Sequence, residues 1–146
     1  MNIQARPVPP KMQSASMSLP VYLIVSVGGG RQDHHAIFIE TEERGPRTGD
    51  IYQVTGSMQN GMTFEYRSED VAPEDSLNFM FLSKVHLGDI KREECDKVME
   101  VCKGVAPPKK QFRGSKKLYP SEPLRACQEW VAEVVQVFRE EGILRL

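Results

Sequence analysis

The stretch LPVYLIVSVGGGRQDHHAIFIE, residues 19–40, holds two apolar runs rich in branched and aromatic side chains, separated by a glycine triplet and a short polar link. A continuous run such as LPVYLIVSV (19–27), ended by Gly28-Gly29-Gly30, predicts a buried strand running into a loop. HHAIFIE (34–40) predicts a second strand. Turn residues crowd TEERGPRTG (41–49), and DIYQVTG (50–56) then alternates large apolar with polar side chains, as a strand with one buried face does. A Gln-Asn-Gly turn at 59–61 leads into MTFEYRS (62–68), which predicts a hairpin, and NFMFLSKVHLG (78–88) reads as one more extended segment.

After these strands the period changes. Cys95, Val98, Met99 and Cys102 lie at helical offsets and form one stripe over 91–103. A loop rich in proline and lysine runs from Pro107 to Pro120. The last element, 122–141, carries Leu124, Cys127, Val131, Val134 and Phe138 on one face, with Trp130 and Val135 beside it. Glu129, Glu133, Arg139 and Glu140 make its polar side, and Gly142 supplies a stop. Its start is open between Ser121-Glu122-Pro123 and Ala126, and only the later start puts Cys127 in the first turn. Strands first and helices last predict an α+β fold: an antiparallel sheet of about five strands packed with two or three helices. Residues 1–18, with three prolines and few large apolar groups, read as a flexible N-terminal tail, and 19–146 as a single domain.

Composition excludes more than it identifies. A formal net charge of −1 produces no field that would gather nucleic acid or anionic lipid. No apolar run approaches the length that spans a bilayer. Three cysteines are too few, and odd in number, for a disulfide framework. Reduced thiols and a cytoplasmic location are the expectation, with no metal or organic cofactor.

Cys127 and His34 are the residues that could carry chemistry. A nucleophilic cysteine acts as its thiolate, so it needs a group that creates or stabilises that anion. Histidine suits, because its pKa lies near neutrality, and helix N-terminal amides favour the same charge. Two readings of Cys127 compete here. It lies on the apolar stripe of its helix, where free cysteine often packs as a small hydrophobe; with a histidine strand upstream, a reactive role becomes the rival. Alternation sends His34 and His35 to opposite faces, so at most one ring can meet the thiol, and His34 would share its face with Ala36 and Phe38.

The segments His34-His35-Ala36-Ile37-Phe38-Ile39, Ile51-Tyr52-Gln53-Val54-Thr55-Gly56 and Cys127-Gln128-Glu129-Trp130-Val131 together resemble the permuted papain-like cysteine enzymes of the lecithin:retinol acyltransferase type. The resemblance implies a permuted papain-like fold over most of residues 20–142. It implies that Cys127 is the nucleophile, that His34 is its base, and that Thr55 or Gln53 orients the imidazole. His35, Tyr52, Gln128 and Trp130 would surround the pair as substrate contacts, Trp130 by packing. Ala126 stands where an Asn often precedes the cysteine in such enzymes. The implied function is a hydrolase or acyltransferase acting on an amide, ester or thioester, with a small-molecule, acyl or peptide substrate. The alternative is a binding or interaction module that keeps the fold without the chemistry.

Other motifs carry less. Cys95 and Cys102, seven apart, match no compact metal spacing and read as core. His86 stands alone on a strand. The glycine triplet lacks the spacing of either phosphate-binding motif and is followed by a strand, so it reads as a loop that places His34. Lys109, Lys110, Arg113, Lys116 and Lys117, with Phe112 and Tyr119, form a basic cluster that reads as a solvated loop just before Cys127.

Overall fold

The computed structural model describes residues 18–26, 33–76 and 79–146, and of residues 79–82 the backbone alone. The expected tail, apart from Ser18, and the glycine triplet lie outside these residues. Five strands form one sheet: β1 (Leu19–Ser26), β2 (His34–Ile39), β3 (Asp50–Ser57), β4 (Gly61–Ser68) and β5 (Phe79–Ile90). Their order is β4-β3-β2-β1-β5, with every neighbouring pair antiparallel. The first four therefore make a meander, and β5 returns to the free side of β1. Helices α1 (Cys95–Gly104) and α2 (Cys127–Glu140) follow, which makes the fold α+β. The lysine-rich loop contains a small ribbon of β6 (Phe112–Arg113) and β7 (Lys116–Lys117).

The strand period decides which side chains meet the helices. Val21, Ile37, Ile39, Tyr52 and Val54 share a core with Val98 and Cys102 of α1 and with Trp130, Val131, Val134 and Phe138 of α2. The opposite face holds a smaller cluster of Ile24, Ala36, Phe38 and Ile51, against which Tyr22 packs. Apolar residues on both faces explain why the run over β1 is continuous. Lys84 crosses this second face. Its Nζ lies 2.8 Å from both Glu40 and Glu74 and 4.5 Å from the Tyr22 ring centroid, so its charge is paired as it is taken out of water.

Two local features set up the site. β2 pairs with β3 only through Ile37–Tyr52, Phe38–Ile51 and Ile39–Asp50, so the two strands part towards His34. The second feature is the start of α2, which lies later than 122. Buried Gln111 accepts the Arg125 N–H at 2.7 Å and donates to the Arg125 carbonyl at 2.7 Å. With that peptide held outside the helix, Ala126 becomes the N-cap and Cys127 the first helical residue. Leu124, expected on the apolar stripe, is accordingly exposed. At the other end Gly142 adopts φ +72°, and the Ile143 N–H closes the helix on the Phe138 carbonyl at 2.9 Å.

Candidate functional site

The site forms where β2 leaves β3 and α2 begins. By alternation His34 belongs to the sheet face away from the helices, with Ala36 and Phe38. The parting of the strands lets a group from the helix side reach it. Cys127 is that group: its Sγ accepts the backbone N–H of His35 at 3.4 Å, where the β2–β3 ladder has ended. The His34 ring hydrogen-bonds the same sulfur. His34 Nε2 meets Gln53 Oε1 at 2.6 Å, which leaves Nδ1 for Cys127. Gln53 Nε2 in turn donates to Glu65 Oε1 at 2.5 Å. One line of contacts thus runs Glu65, Gln53, His34, Cys127, from β4 through β3 and β2 to α2.

Electrostatics follow from these contacts. The hydrogen bond to Cys127 pushes His34 above its ordinary value against the effect of burial, and Gln53 and the Glu65 charge act in the same direction. Burial by itself would raise the Cys127 thiol. The His34 hydrogen bond, the His35 amide, the positive charge of His34 and the amide of Cys127 itself outweigh it, so the thiol lies below its ordinary value. Both shifts favour a thiolate beside an imidazolium. Ala126 has no side-chain acceptor for the first-turn amides of α2, and the Cys127 amide acts on its own sulfur. Glu129 holds the cap from the other direction, accepting the Ala126 N–H at 2.6 Å.

Among the remaining expected residues, Gln128 lies at the rim. Its Nε2 donates to the Asp33 carbonyl at 3.0 Å, and its Oε1 is 3.7 Å from Cys127 Sγ. His35 contributes its amide, while burial pushes its own ring below the ordinary value. Three roles are corrected. Thr55 shares a face with Gln53, yet among the described residues it is Gln53 that bonds His34. Trp130 cannot touch a substrate: it is fully buried, its Nε1 donates to the Val105 carbonyl at 3.0 Å, and its ring packs on Phe64. Tyr52 is also buried, on the helix face against Tyr66, and burial drives its hydroxyl far above the ordinary value.

A family of unknown function, DUF6540, matches the sequence over residues 21–145, a span that holds both His34 and Cys127. The chain belongs to the DUF6540 family. No curated protein and no solved structure matches it.

Elsewhere in this DUF6540 chain several of the other singled-out residues have partners of their own or are buried. Cys102 is fully buried and pushed up to about 12, and Cys95 is also raised by burial; all three cysteines are free. Lys109 pairs with Glu122 at 3.1 Å over the Tyr119 ring, and Lys110 donates to the Gln59 carbonyl, so part of the basic cluster is spent on the fold. His86 bonds Asp89 at 3.1 Å. Among the described residues no group of three or more His, Cys, Asp or Glu is arranged to hold a metal ion, and no helix is long and apolar enough to cross a membrane.

Sequence reasoning missed three members of the site: Glu65, Gln111 and the Asp33 carbonyl. Glu65 was reachable. Fixing the hairpin register at its turn, Ser57 opposite Gly61, places Glu65 directly across from Gln53. Gln111 had no local signal, because its partner lies fourteen residues away in irregular chain.

Proposed function

We propose that this protein is a cysteine-dependent hydrolase or acyltransferase of permuted papain-like architecture, acting on an amide, ester or thioester. The observation that carries the reading is the contact of Cys127 with His34 at a helix start, with thiol and imidazole displaced towards the ion pair. The thiolate attacks the carbonyl carbon, and the oxygen takes the displaced electron pair. The Cys127 N–H, in the first turn of α2, supports that oxyanion. His34 gives its proton to the leaving amine, alcohol or thiol, and a thioester remains on Cys127. His34 next takes a proton from water, or from an acceptor alcohol, amine or thiol, as that nucleophile attacks the thioester. The thiolate then leaves, and the reaction ends in hydrolysis or transfer. Gln53 holds the imidazole throughout. Three free cysteines suit a reducing cytoplasm.

One observation favours a second reading. Cys127 is only 6 % exposed, as befits a thiol that packs inside a binding module. The two readings separate on the pH dependence of iodoacetamide alkylation, mapped to Cys95, Cys102 and Cys127 in wild type and His34→Ala. The enzyme reading expects Cys127 to be alkylated fast near pH 6 and to slow at least tenfold without His34. Equal sluggishness at all three cysteines would replace it with the binding module.

A further inference from the structure

Gln53 poses a problem that its own shape does not solve. A glutamine amide has an oxygen end and an NH2 end of almost the same size, so it fits its slot either way round. Only one way supports His34. With Oε1 towards the ring, Nε2 of His34 must carry a proton, and Nδ1 is free to take one from Cys127 or to donate to its thiolate. With NH2 towards the ring, Nε2 becomes the acceptor, the neutral ring carries its proton on Nδ1, and the imidazolium faces a donor. Neighbouring groups decide between these states.

Glu65 is the neighbour at the far end of the amide. It stands directly opposite Gln53 in the β3–β4 register, and its Oε1 accepts Gln53 Nε2. An ionised carboxylate accepts and never donates. An amide oxygen turned towards it would set two acceptors against each other in a half-buried pocket, where such a clash is costly. Arg67 secures the carboxylate, with Nε 3.6 Å from Glu65 Oε1 and Nη2 2.9 Å from Glu69. The titratable groups facing His34 are Cys127 from α2, Glu65 from β4 and the adjacent His35 ring.

We propose that Glu65 is a positioning residue which, by accepting from Gln53 Nε2, sets the orientation of the Gln53 amide and thereby the proton position on His34. It acts through two intervening side chains and touches neither substrate nor sulfur. The inference rests on the reading of His34 and Cys127 as a reacting pair. The position itself is half-exposed on β4 and accepts substitution without opening the core.

The test uses the full chain with Glu65→Gln and Glu65→Lys, and two readouts. The first is the ring nitrogen signals of His34 in long-range 1H–15N spectra, which report which nitrogen is protonated. The second is the pH midpoint of Cys127 alkylation by iodoacetamide. Glu65→Gln keeps an acceptor oxygen, so both readouts stay near wild type, with the rate at pH 6 within about threefold. Glu65→Lys offers only donors and turns the amide. His34 then loses its Nε2–H signature, and the midpoint rises by about one pH unit, a roughly tenfold loss of rate at pH 6. Unchanged His34 nitrogen signals in Glu65→Lys overturn the proposal. So does Glu65→Gln behaving like Glu65→Lys, because charge alone would then explain both. A wild-type Cys127 that is alkylated slowly at pH 6 strikes at the enzyme reading instead, and the nitrogen spectra still judge Glu65.

Discussion

At His34 one ring nitrogen meets Gln53 and the other faces sulfur, so each partner controls a different proton. Removing Gln53 takes away the acceptor that favours the charged ring. Gln53→Ala is expected to slow Cys127 alkylation at pH 6 by about tenfold, on the order of one hydrogen bond to a charged group. Thr55→Val should stay within about twofold of wild type, since Thr55 does not bond the ring. The pH sign follows from the displaced thiol. Its thiolate forms at lower pH in wild type than in a variant that has lost the support of His34, so the curves differ most on the acid side and converge in alkali, where even an unassisted thiol ionises. Rate-versus-pH curves for the three proteins check both the order and the convergence. Cys102 gives the contrast. Pushed up to about 12 by burial alone, it should resist alkylation until the chain unfolds.

At the scale of elements, the position of Cys127 depends on where α2 begins, and that depends on Gln111. The side chain grips both the N–H and the C=O of Arg125 and so blocks an extra turn of helix. Gln111→Leu is expected to cost about 2–3 kcal/mol, because it strands the N–H and C=O of Arg125 at a partly buried position. Urea unfolding measures that loss. The same variant should also slow Cys127 alkylation at pH 6, since a helix extended towards Pro123 moves the sulfur out of the first turn and away from the His35 amide. A stability loss with unchanged alkylation would uncouple the helix start from the thiol. The apolar stripe of 122–141 had the right face and left the first residue open between Ser121 and Ala126. Periodicity reports which side of a helix is buried, but a side chain arriving from residue 111 decides where the helix can start.

At the scale of the whole molecule, the sheet is closed on both sides, by helices on one and by the Lys84 network on the other. Glu74 is held below its ordinary value by Lys84, although burial pushes it up, and Lys84 lies above its own ordinary value for the matching reason. A lowered carboxylate contributes stability that is present above its unfolded pKa and fades as pH falls through the folded one. A raised lysine contributes stability that fades only as pH climbs past its folded value. Lys84→Ala is therefore expected to cost about 2–3 kcal/mol at pH 7, since it takes the shared cation from half-buried Glu40 and Glu74 and leaves Glu74 only Arg47 at 3.7 Å. That difference from wild type should be smaller at pH 3 than at pH 7, because Glu74 loses its charge as pH falls. Thermal unfolding at the two pH values tests this.

The sequence by itself determined the class of the fold, the succession of strands and helices, and the pair His34 and Cys127 as the residues worth watching. These are properties of local pattern: a period of two, a change to 3.6, and residue types that can form or stabilise an anion. Tertiary structure decided the rest. Gln53, rather than Thr55, holds the imidazole where the β2–β3 ladder has stopped at Ile37. Trp130 and Tyr52 became core because the helices cover their face of the sheet. Glu65 joined the site through a cross-strand register, and Cys127 reached the helix start through Gln111. Each of these depends on distances between residues far apart in the chain. A local pattern cannot encode such distances, because they exist only once the strands have paired and the helices have docked.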